Sequence, residues 1–135
     1  MLKHIKALLE DNAIFIAVFF TISITIGSLV KSDLIAVEIV SISDKAYHFI
    51  AYFLLMLSWL YAFFKKKSFT QYVKYIIIGC IAFGIIIEIL QGVTTTYRTF
   101  SFLDVVANTF GVVLASIVFH FFEKKLDYLS VKLCK

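Results

Sequence analysis

Four hydrophobic stretches of about twenty residues each divide this chain, and any fold has to accommodate all of them. They cover residues 12–30, 44–64, 73–91 and 103–122. A helix rises about 1.5 Å per residue, so each stretch can cross the roughly 30 Å hydrocarbon core of a bilayer. Hydrophobic residues make up 61% of the sequence, more than a small soluble domain can bury. The sequence therefore predicts an all-α membrane protein, a single domain of residues 1–135 built as a bundle of four transmembrane helices.

Basic residues are distributed unevenly between the two sides of such a bundle. All of the 13 Lys and Arg residues except Lys31, Lys45 and Arg98 fall on one side. By the positive-inside rule that side is cytoplasmic, which places both termini in the cytoplasm of a multi-pass protein of the cytoplasmic (inner) membrane. The net charge of +4 does not indicate nucleic-acid binding, because no base-reading groups accompany the cations. We expect membrane lipids as partners and no nucleic acid.

Polar residues within the stretches gather near their predicted outer ends. Residues three or four apart share a helix face, so these residues form three stripes. Ionisable groups at such a depth face the bundle interior and pair with each other, so we expect the stripes to meet there, with Arg98 on the loop above. Ser101 can cap the last helix. The stripes are Asp44, His48 and Tyr52; Gly84, Glu88 and Gln91; and Asp104, Asn108, Gly111 and Ala115.

The residue types in these stripes indicate proton transfer and head-group binding. A histidine flanked by carboxylates can move a proton, which makes Asp44, His48, Glu88 and Asp104 the candidate catalytic residues. Arginine offers a planar fork that suits phosphate, and amides and hydroxyls can orient a bound group. The candidate substrate-binding residues are Tyr52, Gln91, Arg98 and Asn108. We expect no cofactor and no metal ion; the alternative is a metal held by His48, Glu88 and Asp104.

The same residues form an ordered set of motifs over residues 44–122. The set comprises Asp44-Lys45-x-x-His48, Glu88-x-x-Gln91, Arg98 and Asp104-x-x-x-Asn108-x-x-Gly111. It resembles the VanZ-like family of small membrane proteins. The resemblance implies a role at the cell envelope, because the family is named for an accessory determinant of resistance to the lipophilic glycopeptide antibiotic teicoplanin. The family usually has a proline before its arginine, whereas this loop is rich in threonine.

Three functions from different classes fit these observations. The first is an envelope enzyme or binding protein that works on the head group of a phospholipid or a lipid-linked cell-wall precursor in the outer leaflet. The second is a non-catalytic structural or interaction protein whose polar residues clasp the helices together. The third is a small proton-coupled transporter with Glu88 as the carrier carboxylate, and it ranks last because transport sites usually lie near the membrane midplane.

Overall fold

The computed structural model describes residues 12–30, 44–64, 69–96 and 99–133 of the chain, with side chains as far as Lys124. These residues form four α-helices and no strand, so the predicted all-α fold is confirmed. Arg98 lies outside the described residues. The helices are α1 (Ala13–Leu29), α2 (Asp44–Phe63), α3 (Phe69–Thr94) and α4 (Phe102–Leu133).

The last two helices are longer than the apolar stretches that predict them. Helix α3 begins before residue 73 and ends after residue 91, and α4 continues well past residue 122. Apolar content measures only the part of a helix that lies in hydrocarbon, whereas the backbone can stay helical through the polar interface on either side. Glu88 consequently lies six residues, or about 9 Å, from the end of α3.

The outer surface of the bundle is apolar, as expected for a protein that has lipid as its solvent. Three of the helices are long and apolar enough to cross a membrane, and α1, with 17 residues, is a shorter apolar helix. Large side chains that point outward include Phe15, Phe19 and Phe110, which are 66–73% exposed. In water such a surface would drive aggregation. The chain is therefore a multi-pass membrane protein.

The interior is centred on α2. Tyr52, Leu55, Met56 and Leu60 lie on one face of this helix and are at most 1% exposed. Helix α4 shares the largest interface with α2. A ring cluster of Phe64, Phe69 and Phe119 closes the end of the bundle where α2 leads into α3. Polar side chains occupy the opposite end.

Candidate functional site

Five polar or charged side chains are buried in the part of the chain that the structure describes, and all belong to the predicted stripes. They lie where α2 begins, α3 approaches its end and α4 begins. Polar groups in the interior of a membrane protein are costly, so their common location requires a physical reason. The five are His48, Glu88, Gln91, Asp104 and Asn108, and together with Asp44 and Lys45 at the same end they are called the polar cluster below.

His48 is the centre of the polar cluster. Its Nδ1 lies 3.1 Å from Asn108 Oδ1, at hydrogen-bond distance, and 3.4 Å from Glu88 Oε1. Its Nε2 lies 3.9 Å from Asp104 Oδ2. Because both neighbours of Nδ1 are oxygen acceptors, this nitrogen carries a proton and donates it. One imidazole therefore connects α2 to both α3 and α4.

Asp104 is fixed by the start of its own helix. Its backbone N–H donates to Ser101, with Oγ at 3.3 Å and the carbonyl at 3.1 Å, so Ser101 caps α4 as predicted. A carboxylate in the first turn also interacts favourably with the positive end of the helix dipole. Lys45 Nζ lies 3.9 Å from Asp104 Oδ1, with about half of the lysine side chain exposed. Asp104 is thus held between a buried histidine and a cation at the surface.

The end of α1 joins the polar cluster through a backbone group. Gln91 is 2% exposed, and its Nε2 donates a hydrogen bond to the carbonyl of Ser28 at 2.9 Å. This carbonyl belongs to the last turn of α1, where helical carbonyls have no partner within the helix. All four helices therefore contribute to the same end of the bundle.

Two glycines let the helices approach closely around these groups, as the sequence predicts. A Cβ on Gly111 would collide with the carbonyl oxygen of Phe49 and would lie 3.0 Å from the backbone nitrogen of Phe53. A Cβ on Gly84 would lie 3.1 Å from Tyr52 Cε1 and 3.3 Å from Asn108 Nδ2. Only a residue without a side chain allows α2 and α4 to touch at Gly111.

The structure brings most of the candidate site residues together. Glu88, Asp104 and Asn108 each approach a nitrogen of the His48 imidazole ring. Asp44, which is exposed, places a carboxylate oxygen within 4.8 Å of ligand atoms of His48 and Asp104.

Of the predicted substrate-binding residues, one lies deeper in the bundle than His48 and one is directed toward α1. Tyr52 is 1% exposed, beneath His48, and its hydroxyl has no hydrogen-bond partner among the described residues. Gln91 is directed toward α1. Arg98 falls on residues that are not described.

Two groups that contact the polar cluster were not predicted from the sequence. Lys45 looks like a surface lysine, yet its ammonium lies beside Asp104. The signal for this contact is its position next to Asp44 at the start of α2, on the same side of the bundle as Asp104. The Ser28 carbonyl has no sequence signal, because any residue carries the same backbone group.

The described part of the polar cluster carries more negative than positive charge. Among the described residues, three carboxylates, those of Asp44, Glu88 and Asp104, lie at the same end of the bundle as the Lys45 ammonium and the His48 imidazole. In surroundings of low dielectric constant, such an imbalance favours the binding of a cation or a proton. The arrangement can support proton transfer and cation binding, and the half-exposed Lys45 offers a positive group to an anion at its edge.

Comparison with known proteins identifies the family. No curated protein and no solved structure matches the chain. The sequence profile of the VanZ/LLP1 family matches residues 10–123, which include all of the polar cluster. This confirms the resemblance stated above: the chain is a membrane protein that belongs to the VanZ/LLP1 family.

Proposed function

We propose that this VanZ-family protein binds the phosphate-bearing head group of an outer-leaflet lipid at the polar cluster. The lipid is a phospholipid or a polyprenyl-linked cell-wall precursor in the cytoplasmic membrane. The observation that supports this most strongly is the contact between His48 and Glu88, both buried at one end of an apolar bundle. Lipid head groups lie at the level of helix ends, where a polar site can reach them without leaving the membrane.

Lys45 and Asp44 form the accessible edge of this site. About half of the Lys45 side chain is exposed, so its ammonium can turn from Asp104 toward a phosphate. Behind this edge, His48 lies between Glu88 and Asp104 and can exchange a proton with a bound head group. Arg98 is the further phosphate ligand that the sequence predicts. The site thus combines a phosphate-binding edge with an acid–base group behind it.

We further propose a link to teicoplanin resistance, for which family membership is the support. The antibiotic is lipophilic, and a protein that changes the lipids or lipid-linked precursors of the outer leaflet changes the surface that the antibiotic meets. The expected phenotype is lower teicoplanin susceptibility in a strain that expresses the chain. Loss of this phenotype in the Glu88→Gln variant would connect it to the polar cluster.

Lipid binding is measured with the purified chain in nanodiscs and lipids that carry a labelled head group. Lys45→Gln removes an ion contact worth about 1 kcal/mol, so we expect about fivefold weaker binding. Glu88→Gln and His48→Ala are expected to weaken it at least as much. Glu123→Gln is the matched control, since Glu123 pairs with a histidine, His120, on a part of α4 remote from Asp104. Full binding by correctly inserted Glu88→Gln and His48→Ala proteins would refute the proposal.

A structural clasp is the second candidate, and the hydrogen bond from Gln91 to Ser28 favours it because this bond only joins helices. A clasp predicts that Glu88→Gln lowers the melting temperature in detergent. It also predicts that Lys45→Gln and Arg98→Ala leave lipid binding unchanged. Lys45→Gln separates the two candidates, because this half-exposed side chain contributes little to the stability of the bundle. Under the head-group proposal, however, it contacts the phosphate directly.

A further inference from the structure

The geometry points to a divalent-cation site formed by Asp44, His48 and Asp104. Each residue offers one ligand atom, and the three atoms lie within 4.8 Å of one another. Asp44 and His48 are one turn apart on the same face of α2, and Asp104 comes from the first turn of α4. Ligand atoms bound at about 2.0–2.2 Å from one metal ion are separated by about 3–4 Å. Small side-chain rotations bring these three atoms into that range.

The orientation of His48 is that of a metal ligand. Its Nδ1–H donates to Asn108 Oδ1 at 3.1 Å, with Glu88 Oε1 also nearby, so the lone pair of the ring is on Nε2. Nε2 faces Asp104 Oδ2 at 3.9 Å, which is too long for a hydrogen bond. Metal-bound histidines almost always have their other N–H held by an oxygen acceptor, which fixes the tautomer. Asn108 and Glu88 supply those acceptors here.

An independent observation on Asp104 also indicates a missing positive partner. The residue is 7% exposed, and its Oδ1 is buried without a hydrogen-bond partner among the described residues. Among the described residues, the cation beside this oxygen is Lys45 Nζ, 3.9 Å away on a half-exposed side chain. A buried acceptor without a donor costs about 1–3 kcal/mol, and more when it is charged. A metal ion that the Asp104 carboxylate binds through Oδ1, alone or with Oδ2, would remove this cost.

The ligand set narrows the identity of the cation. Two carboxylates and a neutral imidazole carry two negative charges, which a divalent ion balances. Carboxylates suit Mg²⁺, Ca²⁺ and Mn²⁺, whereas imidazole suits Zn²⁺ and other transition metals. Mn²⁺ and Zn²⁺ accept both donor types, so we assign the site to one of these two ions. Three protein ligands leave coordination positions for a water molecule or a phosphate oxygen.

The cation site deepens the proposed function but does not rest on it. Without a cation, the carboxylates of Asp44 and Asp104 would oppose the approach of a phosphate. With a divalent ion bound, the same residues attract it, since the ion is the largest local charge. The cation site would therefore select a head group that carries a phosphate. A phosphate oxygen would complete the coordination of the ion, and Lys45 would turn from Asp104 toward the phosphate.

Metal binding is tested with the full chain in detergent, stripped with a chelator and free of added lipid. Mn²⁺ is titrated and its free concentration followed by electron paramagnetic resonance, with Zn²⁺ as competitor. We expect saturable binding of one ion per chain. Asp44→Asn, at an exposed position, is expected to weaken binding about tenfold or more, and His48→Gln likewise. Glu123→Gln, whose carboxylate is 3.9 Å from His120 Nδ1, is the matched control and should bind normally.

Each outcome decides between the two proposals. Absence of saturable Mn²⁺ or Zn²⁺ binding, or equal affinity in the Asp44→Asn protein, overturns the cation site. A lipid titration of the same samples with and without chelator tests the proposed function separately. If the chain binds no metal ion but still binds the head group in the presence of the chelator, the proposed function stands and the cation site is refuted. If the chain binds the metal ion but no head group, the cation site stands and the proposed function is refuted.

Discussion

Replacement of Gly111 by alanine is the sharpest test of how the polar cluster is assembled. The new Cβ would collide with the Phe49 carbonyl oxygen and lie 3.0 Å from the Phe53 nitrogen. Both atoms are backbone of α2, so no side-chain rotation relieves the contact. Helices α2 and α4 must move apart, and the distance between His48 on α2 and Asn108 on α4 must grow with them.

The magnitude follows from two opposing effects. Alanine gains about 0.5–1 kcal/mol over glycine within a helix. Overpacking at a close contact typically costs about 1–3 kcal/mol, and a collision with backbone atoms belongs at the upper end of this range. The net expectation is a loss of about 1–2 kcal/mol, on the order of 5 °C in melting temperature by the scaling for small domains. Gly79→Ala, whose Cβ meets nothing within 4 Å, should instead match or exceed the parent.

The assay is thermal unfolding in a single detergent, followed by size-exclusion chromatography of heated samples. The Mn²⁺ affinity of the same proteins reports on the polar cluster. This affinity should be lower in Gly111→Ala, where α2 and α4 move apart, and unchanged in Gly79→Ala. If Gly111→Ala were as stable as Gly79→Ala, α2 and α4 would not touch at Gly111 and the described packing would be wrong.

Two further predictions concern hydrogen bonds that hold α1. Gln91→Leu leaves the Ser28 carbonyl without its donor at 2.9 Å, and should lower the free energy of unfolding by about 0.6–1.5 kcal/mol in a chemical denaturation series; an unchanged value would mean that lipid or water replaces the bond. Trp59→Phe removes the 3.3 Å bond from Nε1 to Thr21 Oγ1, so this change and Thr21→Val should be non-additive by about 0.6 kcal/mol in a double-mutant cycle, whereas full additivity would exclude the bond.

The helices were predictable because hydrophobic length is a strong constraint in a bilayer. Backbone groups cannot remain unpaired in hydrocarbon, so an apolar stretch of sufficient length becomes a helix. The ends of α3 and α4 were less predictable, since the residues that follow an apolar stretch in the interface can continue the helix or leave it. Which side of the bundle faces the cytoplasm remains a prediction from the lysine distribution.

Proximity within the candidate site was predictable from helix periodicity, and its geometry was not. Spacings of three and four placed His48, Glu88 and Asp104 on inward faces at the same end of the bundle. Periodicity gives no ring orientation, so the sequence could not show that Glu88 lies beside Nδ1 of His48, whereas ligand atoms of Asp44, His48 and Asp104 lie within 4.8 Å of one another. Contacts between a side chain and a backbone carbonyl, such as that of Gln91 with Ser28, leave no pattern at all.

The energetic cost of Glu88 favours a functional site over a clasp. A charged side chain at the centre of a membrane helix costs about 2.5–3.5 kcal/mol even on insertion scales, and the cost is smaller but still unfavourable for Glu88, which lies about 9 Å from the end of α3. Interhelical hydrogen bonds in membranes return on average only about 0.6 kcal/mol each. Apolar side chains of similar volume would hold α2, α3 and α4 together at least as well, because replacing buried ionic groups in this way is often neutral or stabilising. Helix packing alone therefore does not account for a carboxylate in contact with His48, whereas a divalent ion bound beside His48 would be stabilised by its charge.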